Sequence, residues 1–164
     1  MARSSALVAM ALAGLVSARM NAASPGEEAF QRLKGLAGDW EAKTPKGSVL
    51  RLSYRVVSRD SVLVESWAPG SKGETLTVYH LDGPALLLTH YCAQGNQPRL
   101  KLKKAEGSAY EFAFLDATNL GKPGDAHLHR MRLELLDKEH MTKHETYVED
   151  GKEETTSLTF ERVR

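Results

Sequence analysis

The chain predicts an all-β fold: about ten antiparallel strands in an up-and-down barrel, with one short N-terminal helix capping an end. Three observations carry this. From Gly38 onward, apolar residues recur with period two. Turn signals such as Asp82-Gly83-Pro84, Glu106-Gly107-Ser108 and Asp150-Gly151-Lys152 separate the alternating runs. No helical crossover lies between runs, so neighbours are antiparallel, and such a meander removes its edges by closing on itself. A length of 164 residues fits one ordinary domain. A hydrophobic fraction of 41% with 26% charged residues argues against disorder.

The first segment stands apart from this pattern. One Arg precedes the wholly apolar or small run 6–16, and small residues follow at Ala18, Ala22 and Ala23. This is the layout of a secretory signal peptide over residues 1–23, with cleavage near 18–23. The apolar run is too short to span a bilayer comfortably, which takes about 20 residues, so no stable membrane span is expected after cleavage. The single barrel domain, 24–164, is expected in the periplasm or outside the cell. Cleavage after Ala18 removes Arg3 and leaves 21 basic against 21 acidic residues. That balance excludes a strong general nucleic-acid binder, whose affinity rests on phosphate neutralisation. A single cysteine, Cys92, forbids an internal disulfide.

The elements come in order along the chain. Residues 27–37 place Phe30, Leu33 and Leu36 at helical spacing, with two Glu in the first turn where the helix dipole favours them. The segment from Gly38 to Thr44 opens the sheet. Residues 48–57 put Leu50, Leu52, Tyr54 and Val56 on one face. Residues 61–67, 74–81 and 85–92 are the next three strands, joined by loops rich in Gly, Pro and Asp. Residues 98–104 form a basic strand whose alternating Lys read as a solvated face. Residues 109–115 alternate again, an irregular stretch runs from Asp116 to Asp125, and residues 126–136, 140–149 and 153–163 complete the count.

A short helix followed by Gly38-Asp39-Trp40 at the start of the first strand, with Arg162 in the last, resembles the calycin group of lipocalins, fatty-acid-binding proteins and nitrobindins. Residues 79–99 and 116–120 are similar to uncharacterised bacterial lipocalin-like proteins. The resemblance implies that the helix plugs one barrel end and that Arg162 lies across the Trp40 ring. Nitrobindins hold haem through a histidine late in the chain, and His140 or His144 stands at that position.

Barrel strands send alternate side chains inward. In 85–92, Leu86, Leu88, His90 and Cys92 share a face; in 126–136, His127 and His129 share the phase of Met131, Leu133 and Leu135; in 140–149, Thr142, His144, Thr146 and Val148 can oppose them. The expected ligand-binding lining is therefore Tyr54, His90, Cys92, His129 and His144 within apolar walls, suited to a small ligand with a few polar groups. Trp67, Tyr91 and Tyr110 read as packing. His127 and His129 form an H-x-H pair that could start a divalent-metal site, but zinc needs a third protein ligand, for which His90, Cys92 and His144 are the candidates. Residues 121–134 resemble the first cupin motif without its closing Gly or its second His motif. No P-loop, dinucleotide Gly motif or G-x-S-x-G is present. The expectation is an exported barrel, monomer or homodimer, that encloses a small, partly apolar molecule. The alternatives are a metal- or haem-dependent enzyme using the same histidines, and a filled barrel acting as an interaction module.

Overall fold

The computed structural model describes residues 22–44 and 46–164. The expected leader, but for Ala22 and Ala23, lies outside the described residues. From Ser24 onward the chain forms a closed ten-stranded antiparallel barrel with one helix at its N-terminal side.

The helix α1 (Pro25–Leu33) begins where its sequence dictates. Ser24 accepts a hydrogen bond from the Glu27 amide, the Glu27 carboxylate accepts one from the Ser24 amide, and Pro25 occupies a first-turn position that needs no donor. One turn of 3₁₀ helix (Lys34–Leu36) comes next, so the helix expected over 27–37 is split and starts two residues earlier. The helix buries Ala29, Phe30 and Leu33. Its first turn sits so close to the Gly83-Pro84 turn that a Cβ on Gly26 would fall 2.3 Å from the Pro84 carbonyl oxygen.

The strands are β1 (Gly38–Lys43), β2 (Val49–Val57), β3 (Val62–Trp67), β4 (Thr75–Asp82), β5 (Ala85–Tyr91), β6 (Gln97–Glu106), β7 (Ala109–Thr118), β8 (His127–Leu135), β9 (His140–Glu149) and β10 (Lys152–Arg162). Each pairs with its sequence neighbour, and β10 returns to β1 through Trp40↔Arg162 and Glu41↔Glu161. β7 runs three residues further than its apolar alternation suggests. Arg99 on β6 holds Asp116 through a paired guanidinium–carboxylate contact, and Thr118 donates to Gln97 at 2.6 Å, which keeps the two strands together.

Two irregularities set side-chain directions. The β6–β7 register shifts between Arg99 and Leu100 and between Leu102 and Lys104. The β8–β9 register shifts between Leu128 and Arg130, which leaves His129 as the extra residue of a bulge. The interior between helix and mid-barrel is filled by one cluster that includes Phe30, Leu36, Trp40, Leu63, Leu88, Leu100, Phe112, Met131, Met141 and Phe160. Burial on this scale, at roughly 1.5–3 kcal/mol for each large apolar side chain, holds the barrel without a disulfide.

Candidate functional site

The two ends of the barrel carry different chemistry. At the helix end, Trp40 is 1% exposed and donates its indole N–H to the Leu36 carbonyl at 2.8 Å. The Arg162 guanidinium lies 4.2 Å from the Trp40 ring centroid. It donates to Ala37 O at 2.7 Å and Gly35 O at 2.9 Å, satisfying carbonyls at the end of the 3₁₀ turn, and to Lys138 O at 2.9 Å in the β8–β9 connection. Gly38 makes this possible: its φ is 131°, and a Cβ there would stand 2.7 Å from an Arg162 nitrogen. The indole N–H and all three guanidinium nitrogens have partners, and the Trp40 ring is covered, so this end is a structural closure.

The opposite end holds a cavity of about 320 Å³ between the loops after β3 and β5 and strand β9. Its lining includes Glu65, Trp67, His90, Lys143, Glu145 and Tyr147, with Cys92 and Gln94 nearer the mouth. At its floor lies a buried ionic network. Glu65 and Lys143 form an ion pair, each with a side chain 2% exposed. Glu65 also accepts hydrogen bonds from Tyr54 Oη at 2.7 Å, Tyr79 Oη at 3.0 Å and Thr77 Oγ1 at 3.4 Å. Lys143 reaches a second carboxylate, Glu145, at 3.0 Å, and its ammonium sits 5.4 Å from the Trp67 ring centroid.

Burial would raise the Glu65 carboxyl, but the Lys143 charge and hydrogen bond, with the Tyr54 and Tyr79 hydroxyls, outweigh it and hold the group below the usual glutamate range. Burial likewise works against the Lys143 charge, and the two carboxylates raise its pKa above the ordinary lysine value. Tyr54 and Tyr79, buried beside Glu65, are pushed well above the usual phenol range and stay protonated donors.

A second chain of contacts climbs from this floor toward the mouth. His90 is 4% exposed; its Nδ1 meets Thr77 Oγ1 at 3.0 Å and its Nε2 meets Tyr147 Oη at 3.2 Å. Burial lowers the imidazole pKa, so His90 is neutral at pH 7. Tyr147 is raised by burial and by the Glu145 charge, so its hydroxyl keeps its proton. If Tyr147 donates to Nε2, then Nδ1–H donates to Thr77 and Thr77 donates to Glu65, a consistent set of roles from the mouth to the ion pair.

The structure thus brings together Tyr54, His90 and Cys92 at this end, Tyr54 on the floor, His90 on the wall and Cys92 half-buried at the mouth. It separates His144 and His129 from them. Lys143, Glu145 and Tyr147 are the inward phase of β9, so alternation turns His144 to the outer face, where Nδ1 contacts Ser157 Oγ at 2.7 Å. The expectation that Thr142, His144 and Thr146 line the interior is corrected accordingly. The bulge at His129 corrects the other: Leu128 is inward, fully buried and opposite Tyr147, while His127 and His129 gather on Phe114 with ring centroids 4.7 and 5.3 Å away. His127 Nδ1 meets the Asp125 carbonyl at 2.9 Å, and the two imidazoles are 3.3 Å apart. Among the described residues no group of three or more His, Cys, Asp or Glu is arranged to hold a metal ion, so the H-x-H pair lacks its third ligand there. Tyr91, expected as a packing residue, is 49% exposed, because it lies in the phase opposite to His90.

Hydropathy patterning does not single out Glu65, Lys143, Glu145 and Tyr147. The signal was present: Glu65 sits in phase between Leu63 and Trp67, and Lys143 and Glu145 sit in phase between Met141 and Tyr147. Charges of opposite sign bracketed by large apolar residues on two strands mark an internal ion pair. Compared with known proteins, the chain matches no protein-family model and shows no significant match to a curated protein.

Proposed function

We propose that this chain is an exported calycin-like barrel that binds a small, partly apolar molecule through the end opposite its helix, in the periplasm or outside the cell. The observation that carries the reading is the cavity of about 320 Å³ whose floor is the Glu65–Lys143 pair. Its size is at the lower end for small-molecule sites. At about 30 Å³ per water-sized group, it accommodates roughly ten non-hydrogen atoms. The lining combines the Trp67 and Tyr147 rings with a few convergent polar groups, the mixture expected of a ligand site. A buried ion pair is weak support for stability, and hydrophobic residues of the same volume would serve as well or better. Its presence beneath an open cavity therefore favours a binding role. The short helix, Gly38 and the Arg162–Trp40 contact support the calycin-like reading, and the layout of residues 1–23 supports export.

Native mass spectrometry of the freshly purified mature protein tests this together with a displacement assay using a fluorescent apolar probe. The expected result is one small molecule retained, or one probe bound, per chain. A Thr75→Trp variant, which fills the cavity from its β4 wall, should abolish binding. Stoichiometric binding that survives Thr75→Trp would contradict the reading.

A further inference from the structure

The charge balance of the cavity defines a ligand class. This rests on the ligand-binding reading and adds the chemistry of the ligand's polar group. Glu65 is saturated by Lys143, Tyr54, Tyr79 and Thr77. Lys143 is shared by two carboxylates and is 2% exposed, whereas the Glu145 side chain is 17% exposed. The cavity is therefore met by a carboxylate, with the ammonium behind it. Lys143 is the only protein donor to Glu145 among the described residues, so the Glu145 carboxylate keeps open acceptor positions. With His90 neutral and Tyr147 protonated, the floor and wall carry two negative charges against one positive.

An adjoining hollow has the same sign. A second hollow of about 650 Å³ shares Gln94 and Tyr147 with the cavity, and it is lined by Glu149, Glu153 and Glu154 against Lys152. Glu153 is engaged by Arg130, and Glu149 and Glu154 pair across the β9–β10 ladder with Lys152 and Tyr147. Beside Glu145 stand the Trp67 and Tyr147 rings, whose faces attract positive charge. An anionic ligand would meet Glu145 without a free cation, at a cost that low-dielectric burial magnifies. A cation would restore neutrality to the cavity floor, and the acidic rim would speed its entry.

We propose that the cavity binds a small organic cation, an alkyl- or arylammonium group of roughly ten non-hydrogen atoms, with its charged head on Glu145 and its apolar part against Trp67 and Tyr147. Calorimetric titration of the full mature chain at neutral pH tests this with three probes of one shape: benzylamine, benzyl alcohol and benzoate. Benzylamine should bind about tenfold or more tightly than benzyl alcohol, a ratio that corresponds to one partly desolvated ion pair, and benzoate should bind weakest. Glu145→Gln should remove the advantage of benzylamine over benzyl alcohol. Equal or tighter binding of the alcohol or the acid would overturn the cation assignment while leaving a ligand site in place. A preference for benzylamine that survives Glu145→Gln would place the cation elsewhere, on the acidic rim, and would also overturn it. Failure of all three probes to bind would overturn the ligand-binding reading and this inference with it. The wild-type comparison among probes needs no variant, so a poorly folding Glu145→Gln protein would leave the test intact.

Discussion

Each end of the barrel carries a tryptophan with a cation near its ring, and the two ends differ in how those groups are satisfied. At the helix end, Arg162 lies 4.2 Å from the Trp40 centroid and donates three hydrogen bonds to main-chain carbonyls of the 3₁₀ turn and the β8–β9 connection. At the open end, Lys143 lies 5.4 Å from the Trp67 centroid and is paired with Glu65 and Glu145. The first arrangement joins chain segments far apart in sequence and satisfies main-chain acceptors. The second buries charge without tying down main chain, and it leaves one carboxylate facing a cavity. The difference separates a cation whose contacts all join parts of the fold from one whose carboxylate partner faces an open cavity.

Disrupting the open end should have the greatest consequence. Lys143→Met leaves Glu65 buried without its cation, and denaturant unfolding should show a loss of about 3–5 kcal/mol. The double variant Glu65→Leu/Lys143→Met, which removes both charges and restores apolar volume, should be considerably more stable than Lys143→Met alone. If the double variant is the less stable of the two, the pair is a structural element like Arg162, and the contrast between the ends disappears.

A smaller loss is expected at the helix end. Arg162→Ala removes three charge-assisted hydrogen bonds and the contact over Trp40, and should cost about 2–3 kcal/mol. Arg162→Lys should recover only a small part, because an ammonium cannot present the same planar fork to three carbonyls. Benzyl alcohol binding at the open end should be unchanged in both.

Acidification should have the mildest effect. The folded pKa of His90 is depressed by burial below its unfolded value near 6.5, so folding favours neutral imidazole. That contribution is fully present above about 6.5 and is lost as pH falls through the folded value. Glu65, held below the ordinary glutamate value of 4.5, contributes above that pH and is lost lower down. Stability should therefore fall in two stages on acidification. His90→Gln should remove the first stage and leave the second, as urea midpoints measured from about pH 7 down to about pH 2 will show.

The period-two rule reads much of this architecture directly. Leu52 and Tyr54 are buried in phase, with Leu50 and Val56 half-buried on the same side, and Leu86, Leu88 and His90 repeat the pattern on β5. The turn residues mark the hairpins, and the element bounds agree to within about two residues outside β7. The same rule fails where charge is buried. Lys143 and Glu145 share the phase of Met141 and Tyr147, yet their charge assigns them to solvent in any hydropathy reading, and His144 is drawn inward in their place. Much of the cost of that burial is offset by Glu65, 78 residues away in sequence, and pairing across the barrel lumen is a property of the closed fold. His129 fails for a local reason: one extra residue in β8 inverts the phase relation between Leu128 and Met131. Tyr54 and His90 were legible because both are amphipathic groups in otherwise apolar phases.

The two tryptophans let the contrast between the ends be read in one spectrum. The chain has only Trp40 and Trp67, and they lie at opposite ends. In a ¹H–¹⁵N correlation spectrum of the folded protein, titration with benzylamine should shift the Trp67 indole signal progressively and leave the Trp40 indole signal in place. Movement of Trp40 with Trp67 unmoved, or binding that shifts neither, would contradict a closed helix end and a ligand-accepting open one.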